Sequence, residues 1–225
     1  PFQWPAATVS SAERSFIQLF FQTVENRYRK KRGKIMDLRV QRTRMNIRDA
    51  FIELRSRKPI EKITVKELAE AAFINKATFY QHYADLYDLS ESMEDELIDN
   101  IIGSIPHPDT LLDDPKQATL EIFSAFSSQT RLLEILFSGS RRSVLIGKLE
   151  SRIRDLILKK YPDYEGSPGA EVLITFLIQG SFHAYLKHGG EDPESRRRTV
   201  SLIASLVKRL QPFPALPDEN APDKS

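Results

Sequence analysis

The chain has 225 residues, with 33 Lys and Arg against 31 Asp and Glu, a formal net charge of +2, and no Cys. This length allows a sizeable core in one or two domains. The lack of Cys excludes disulfides and thiolate metal sites and is typical of a reducing compartment. A membrane-spanning helix needs about 18 or more consecutive apolar residues. The sequence has no such run, so we expect a cytoplasmic protein with no membrane partner.

The charge is unevenly distributed along the chain. Residues 27–66 hold fifteen Lys or Arg against four Asp or Glu, whereas residues 85–99 hold seven acidic residues. A basic end followed by an acidic stretch is typical of a protein that presents one pole to a polyanion.

Residues 1–35 form an N-terminal extension that is predicted to be partly helical, because apolar residues recur at helical spacing between Ser11 and Lys31. The extension ends in a basic cluster at residues 27–34. One hypothesis is a basic arm that follows the backbone or a groove of nucleic acid. The other is that Met36 is the natural start and that the preceding segment is an upstream translated or expression-derived extension.

The first core helix is predicted from about Asp37 to Arg57, and Pro59 ends it. Apolar residues at helical spacing form its buried face, and arginines fill its first half. Such arginines are either a solvated face or phosphate contacts. Because the motif that follows is typical of nucleic-acid binding, we favour phosphate contact for Arg42 and Arg44.

Residues 63–89 predict two short helices joined by a tight turn. Thr64 lies three residues before Glu67, which is the capping-box spacing that begins a helix. Asn75 can cap a second helix that begins at Lys76. The apolar residues of this stretch recur at helical spacing. The pattern is that of a helix-turn-helix.

The second of these helices is predicted to bury Phe79 and Tyr83 and to present a polar front. The residues of that front are Lys76, Ala77, Thr78, Tyr80, Gln81 and His82. A short helix with an apolar back and a front of small, hydroxyl and amide side chains fits the major groove of DNA. His82 is therefore expected to contact backbone or bases rather than to act in catalysis.

These residues resemble the TetR/AcrR-type transcriptional regulators over a stretch from about Arg39 to Leu97. The most specific parts are TVKELA at residues 64–69 and NKATFYQHY at residues 75–83. The continuation of the motif is similar to the branch common in Firmicutes, which the dihydroxyacetone-kinase regulators also resemble. The resemblance implies about nine core helices, a DNA-binding head, a helical effector-binding and dimerisation domain, and repression that a small-molecule effector releases.

The chain departs from the family pattern at two positions. Phe73 stands where the family usually has Gly, so the turn must form without the residue that enters positive φ freely. Leu86 stands where the family usually has Lys at the start of the fourth helix, which removes an expected phosphate contact.

Within the motif we expect a division between base reading and backbone contact, on double-stranded DNA that carries an inverted repeat. The residues expected to face base edges are Lys76, Ala77, Thr78 and Gln81. The residues expected to hold phosphates are Thr64, Tyr80, His82, Arg42 and Arg44. Asn75, which begins the recognition helix, completes the predicted DNA-binding set.

The rest of the chain predicts an all-α protein, with no convincing strand. A fourth helix is predicted to begin near Asp85 or Leu86 and to end before Pro106. Five more are predicted at about residues 115–128, 129–137, 142–161, 169–187 and 193–210. The predicted domains are an extension at 1–35, a helix-turn-helix DNA-binding domain at 36–90, an effector-binding and dimerisation domain at 91–211, and a disordered tail at 212–225.

The helix at residues 169–187 is apolar almost all round, and such a helix must be buried on every side. In the resembling family the last two helices pair with their copies across a two-fold axis. Two-fold symmetry also places two recognition helices one DNA turn apart. We therefore expect a homodimer. The predicted interface residues are Phe176, Gly180, Ala184, Ile203 and Val207.

A cavity lined by aromatic residues with a few polar groups would suit a small-molecule effector of unknown identity. The candidate lining residues are Phe123, Phe126, Phe137, Phe176, Gln179 and His183. Aromatic residues at helical spacing are more often core, so both interpretations stay open. His183 and His188 are five residues apart and do not share a helix face, so neither a metal site nor a cofactor is predicted.

An enzyme is the first rival hypothesis. The sequence has no Gly-rich phosphate loop, no nucleophile elbow and no HExxH motif, so no catalytic residue is predicted. The second rival is a protein of this fold that acts through another protein, as an interaction module or coactivator. The departures at Phe73 and Leu86 favour that rival, whereas the retained polar front of the recognition helix favours DNA binding.

Overall fold

The computed structural model describes residues 38–108, 112–190 and 192–210. The α-helices in these residues are α1 (Leu38–Arg55), α2 (Val65–Ala71), α3 (Lys76–Tyr80), α4 (Leu86–Gly103), α5 (Pro115–Ser127), α6 (Thr130–Leu136), α7 (Arg142–Lys160), α8 (Pro168–His188) and α9 (Pro193–Arg209). Short 3-10 helices lie at Ile60–Lys62, Gly139–Arg141 and Pro162–Tyr164. The described residues contain no strand, and the predicted all-α fold is confirmed.

The observed helices begin and end within a few residues of the predicted bounds. The agreement is close because Pro, Gly and capping residues punctuate the sequence between the helices. The predicted N-terminal helix, the basic cluster and the predicted disordered tail lie outside the described residues.

The described residues form two compact units. The first comprises the described residues up to Asn100 together with Gln129–Leu145, and the second comprises Ile101–Ser128 and the described residues from Ile146 onward. From the sequence, one domain boundary is predicted near residue 90, with all of α6 in the second domain. The structure instead includes α6 and the 3-10 helix that follows it in the first unit.

Two buried charged side chains hold Gln129–Leu145 within the first unit. Glu94 on α4 is fully buried and accepts hydrogen bonds from Arg141 Nε at 2.7 Å and Nη2 at 2.5 Å. Arg55, the last residue of α1, is 2% exposed and donates to the Leu136 carbonyl at 2.7 Å. Because Leu136 ends α6, this guanidinium satisfies a carbonyl at the negative end of that helix. These pairings join residues that are far apart in the sequence. The spacing of apolar residues does not predict such pairings.

Both helices of the helix-turn-helix begin at the side-chain caps that the sequence predicted. Thr64 Oγ1 accepts from the Glu67 backbone N–H at 3.2 Å, and Asn75 Oδ1 accepts from the Thr78 backbone N–H at 2.7 Å. The two carboxylate oxygens of Glu67 accept from Lys58 Nζ at 2.6 and 2.7 Å, which ties α2 to the end of the α1 segment. α1 packs against α2, and α2 packs against α3.

The turn between α2 and α3 has a backbone conformation typical of glycine, although the residue there is a phenylalanine. Phe73 has a φ of 55°, which lies in the left-handed region that costs L-residues free energy. Its N–H donates to the Glu70 carbonyl at 3.2 Å, and the Ile74 N–H donates to the Ala69 carbonyl at 2.9 Å, which is the Schellman arrangement. The Phe73 side chain is 93% exposed, so packing does little to offset the strain.

Replacing Phe73 with Gly is expected to stabilise the protein by about 0.5–1 kcal/mol. Gly relieves about 1–2 kcal/mol of left-handed strain, and the greater entropy of its unfolded chain cancels part of that gain. Urea unfolding measures the effect, and Phe73→Ala is the matched control because it removes the ring and keeps the strain. A Gly variant no more stable than the Ala variant would contradict this account of the turn.

The second unit has an aromatic centre built by α5 and α8. The Phe123 ring centroid lies 4.9 Å from that of Phe182 and 4.7 Å from that of Tyr185, and the Phe126 centroid lies 5.3 Å from that of Phe182. All four rings are buried, and the Tyr185 hydroxyl lies 2.8 Å from Ser127 Oγ. α9 packs against both α5 and α8.

Candidate nucleic-acid interface

α3 presents a polar face to solvent and an aromatic back to the core. The exposed or half-buried side chains of this polar face are Lys76, Ala77, Thr78, Tyr80, Gln81 and His82. On the opposite side Phe79 is fully buried and Tyr83 is nearly so. The side-chain directions are therefore those that the sequence predicted for the two faces of this helix.

Burial of Phe79 sets which side chains of α3 point outward. The helix has 5 residues, and so short a helix is not stable through its own backbone hydrogen bonds. The Phe79 ring makes an edge contact with Tyr80 at 5.4 Å between centroids and lies 5.9 Å from the Tyr83 ring. Packing of this aromatic group against the first unit positions the polar face.

Thr64 and Asn75, which the sequence assigned to the DNA-binding set, serve as helix caps in the structure. Their side-chain oxygens accept the backbone N–H groups described above, and Asn75 Oδ1 also accepts from Thr78 Oγ1 at 3.0 Å. Both residues are exposed. They therefore fix the starts of α2 and α3, and any contact with a ligand would be additional to that role.

The arginines of α1 differ in their surroundings although they look alike in sequence. Arg42 is exposed and Arg44 is half-buried. Arg48 is 3% exposed and forms an ion pair with Glu96, so it is a structural residue. Arg44 has a buried Nε with no hydrogen-bond partner among the described residues.

His82 follows α3 and is half-buried. Burial of the imidazole, and secondarily the positive charge of Arg44, hold the pKa of His82 below its ordinary value. The ring centroid lies 6.4 Å from that of Tyr83. Burial and the nearby positive charge both favour the neutral form of the imidazole.

The six residues expected to line an effector pocket are divided between the two units. Phe123 and Phe126 pack into the aromatic centre of the second unit, whereas Phe137 belongs to the first unit. Phe176 and His183 are exposed on α8. The remaining residue, Gln179, is half-buried and donates its side-chain amide to Glu150. The core interpretation therefore holds for Phe123 and Phe126, because each is covered by aromatic rings of its own unit.

The expected dimer residues divide between surface and core. Phe176 is 63% exposed and Gly180 is exposed, whereas Ala184 and Val207 are half-buried. Ile203 is buried within its own unit.

Four exposed apolar residues of α8 and α9 were missed by the sequence analysis. They are Val172, Leu202, Leu206 and Leu210. Val172 and Phe176 are four residues apart, as are the successive leucines, so each set follows one face of its helix. We call these residues, with Phe176 and Gly180, the apolar stripe. The spacing of four between Leu202 and Leu206 was the signal that could have revealed the α9 part of the stripe.

Neither a candidate metal site nor a candidate membrane-spanning helix is found in the part of the chain that the structure describes. No three or more His, Asp or Glu side chains there are grouped so that they could hold a metal ion. No helix in the same residues combines the length and the apolar character needed to cross a membrane.

Comparison with known proteins gives a relative that is named as a transcriptional regulator. The chain is 31% identical over 123 residues to YxbF from Bacillus subtilis (strain 168), an uncharacterised helix-turn-helix-type transcriptional regulator. The alignment covers 52% of this chain and 32% of the relative, so this chain spans about a third of the relative's length. No protein-family model matches the chain. No solved structure matches it either.

Proposed function

We propose that this protein is a sequence-specific DNA-binding regulator of transcription. The observation that carries the proposal is the helix-turn-helix, in which buried Phe79 anchors a short α3 and a polar face points to solvent. The similarity to a helix-turn-helix-type transcriptional regulator supports the same function. The resemblance of the motif to TetR/AcrR-type regulators, and to their branch in Firmicutes, forms part of the proposal.

The α3 face has the chemistry to read bases, and its surroundings have the charge to hold phosphates. Lys76 and Gln81 are exposed and carry donors and acceptors that can address base edges in the major groove. Tyr80 offers a hydroxyl, and Arg42 and Arg44 offer guanidinium groups, for phosphate oxygens. Ala77 and Thr78 supply small side chains that allow close approach to the base pairs.

Binding to duplex DNA of mixed sequence tests this function. Fluorescence anisotropy across a series of salt concentrations is expected to show affinity that falls steeply as salt rises. Each phosphate that the protein neutralises contributes about 0.9 to the slope of log affinity against log salt. No binding at low salt would contradict the proposal and favour the rival in which the fold acts through another protein.

Single substitutions on the polar face of α3 distinguish residues that read bases from residues that contact phosphates. Gln81→Ala is expected to change sequence preference, at about 1–3 kcal/mol for one base pair, because a bidentate amide contact is lost. Tyr80→Phe, which removes one hydroxyl, is the matched control and is expected to weaken all sequences alike. Competition between sequence variants of a bound duplex measures both. A uniform loss for Gln81→Ala with unchanged preference would contradict this assignment.

A second copy of this chain is the proposed occupant of the apolar stripe. Exposed apolar faces of this extent usually mark interaction sites, and α8 and α9, which carry the stripe, pack against each other. A Cβ added at Gly180 would meet no atom within 4 Å, so another helix can approach closely there. A two-fold dimer would present two α3 helices to an inverted repeat about one DNA turn apart.

Repression, and release from DNA by a small-molecule effector, complete the proposal. Both rest on the family resemblance. The effector's site stays unassigned.

A further inference from the structure

Phe73, in the turn between α2 and α3, combines two features that are unfavourable in the free protein. Its φ of 55° lies in the left-handed region, which costs an L-residue free energy. Its side chain is 93% exposed, the highest fraction among the large hydrophobic side chains that the structure describes. A glycine would relieve the strain and remove the exposed ring. Because strained residues cluster where proteins act on or bind their partners, this turn is a candidate contact with a partner.

The turn places Phe73 at the end of α3 that a helix-turn-helix presents to base pairs. Phe73 precedes Asn75, the cap of α3, by two residues, so their Cα atoms lie no more than about 7–8 Å apart. In a helix-turn-helix the N-terminal residues of the second helix contact base edges. Lys76 and Ala77, in the first turn of α3, are exposed. The exposed ring of Phe73 is therefore within reach of the groove that these residues would enter.

The chemistry around the ring fits the major groove of a DNA duplex. Residues 71–84 contain no Asp or Glu, and the carboxylate of the preceding Glu70 lies 3.9 Å from Lys66 Nζ. No acidic side chain of this stretch therefore opposes the approach of a polyanion. A phenyl ring offers no conventional hydrogen-bonding group, so it needs an apolar counterpart. The apolar group that the major groove presents is the C5-methyl group of thymine.

We propose that Phe73 packs against the C5-methyl group of a thymine at the edge of the bound sequence, and so contributes to sequence selection. The proposal rests on the DNA-binding function above and adds a base-reading residue outside the polar face of α3. The contact removes apolar surface of the ring and of the methyl group from water, which offsets the strain of the turn. Phe73→Gly is therefore expected to stabilise the fold and to weaken DNA binding.

Replacement of thymine by deoxyuridine tests the contact, because it removes only the C5-methyl group and keeps the base pair. The probe is the duplex that the full chain enriches most strongly from a random pool, with each thymine replaced in turn. At one position the wild-type affinity is expected to fall about 4-fold, as the loss of one buried methyl group gives. Phe73→Ala, which keeps the strain and removes the ring, should not distinguish thymine from deoxyuridine there. At every other thymine the two proteins should show equal losses.

The affinity for the unmodified duplex gives a second readout. Phe73→Ala and Phe73→Gly are each expected to bind it about 10-fold more weakly, which is less than full burial of the ring would give. Since Phe73→Gly is expected to be more stable than the wild type, its weaker binding cannot come from unfolding.

The outcomes separate this contact from the DNA-binding function. Equal effects of deoxyuridine on the wild type and on Phe73→Ala at every thymine would overturn the inference and leave the function standing. A ring that contacts protein instead would also overturn it, and would appear as a change in oligomeric state for Phe73→Ala by light scattering. A pool that yields no enriched duplex would overturn both.

Discussion

Replacing Glu94 with Ala is expected to lower the free energy of unfolding by about 3–5 kcal/mol, which is the usual effect of removing one partner of a buried ion pair. Glu94 is fully buried and accepts hydrogen bonds from Arg141 and from Ser90 Oγ, the latter at 2.8 Å. Arg55 is also buried and is influenced by the negative charge of Glu94. The Ala variant would therefore leave Arg141 without its ion-pair partner and would remove part of the negative charge around Arg55, which Glu61 also supplies.

Urea or thermal unfolding of the full chain measures this loss. Glu70→Ala is the matched control, because Glu70 is exposed on α2 and lies 3.9 Å from Lys66. Removal of such a surface pair typically changes stability by less than about 1 kcal/mol. If the two variants unfolded at similar urea concentrations, the proposed role of Glu94 in holding Gln129–Leu145 within the first unit would be wrong.

Phe176→Glu is expected to turn a dimer into a monomer and to weaken binding to an inverted repeat by about 100-fold or more. The charge is introduced at an exposed position in the apolar stripe, where a second copy would bury it without a partner. The loss of DNA affinity follows because joining two heads makes binding of the second half-site intramolecular, which is typically worth 10²–10⁴ in affinity.

Light scattering coupled to size-exclusion chromatography measures the oligomeric state, and anisotropy measures binding. Ser151→Glu on α7 is the matched control, because it adds the same charge at an exposed position outside the apolar stripe. A wild-type chain that is monomeric at micromolar concentration would contradict the proposed dimer. So would a Phe176→Glu variant that remains dimeric.

Local sequence signals were sufficient to predict the helix-turn-helix. The Thr64 and Asn75 caps act on backbone N–H groups within three residues, so the spacing alone identifies them. The burial of Phe79 was also predictable from the local sequence. α3 has one apolar side and one polar side, and Phe79 lies on the apolar side. Phe73 has its positive φ at the position where the resembling family usually has glycine.

Contacts between residues far apart in the sequence determined the features that the sequence did not predict. Arg42 and Arg48 occur in the same basic helix, yet Arg48 is buried because Glu96 lies 48 residues further on and pairs with it. The union of Gln129–Leu145 with the first unit depends in the same way on Arg141 meeting Glu94. The spacing of apolar residues in the sequence does not predict such ion pairs.

The apolar helix α8 shows a different limit. A helix that is apolar almost all round has no preferred face in its sequence, so periodicity cannot separate Phe182, which is buried, from Phe176, which is exposed. On α9, by contrast, Leu202 lies four residues before Leu206, and this spacing is a signal of a shared helix face that could have been used. The exposure of the apolar residues of α8 and α9 could be seen only in the folded structure, where α5 and its neighbours fill the core.

Selection from a pool of random DNA duplexes by the full chain tests the proposed function most directly. We expect the enriched duplexes to share an inverted repeat whose half-sites lie about 34 Å apart, or a multiple of that distance. Two chains should bind each enriched duplex. A pool that yields no shared sequence, or one enriched in direct repeats, would contradict the account of this protein as a two-fold, sequence-specific DNA-binding regulator.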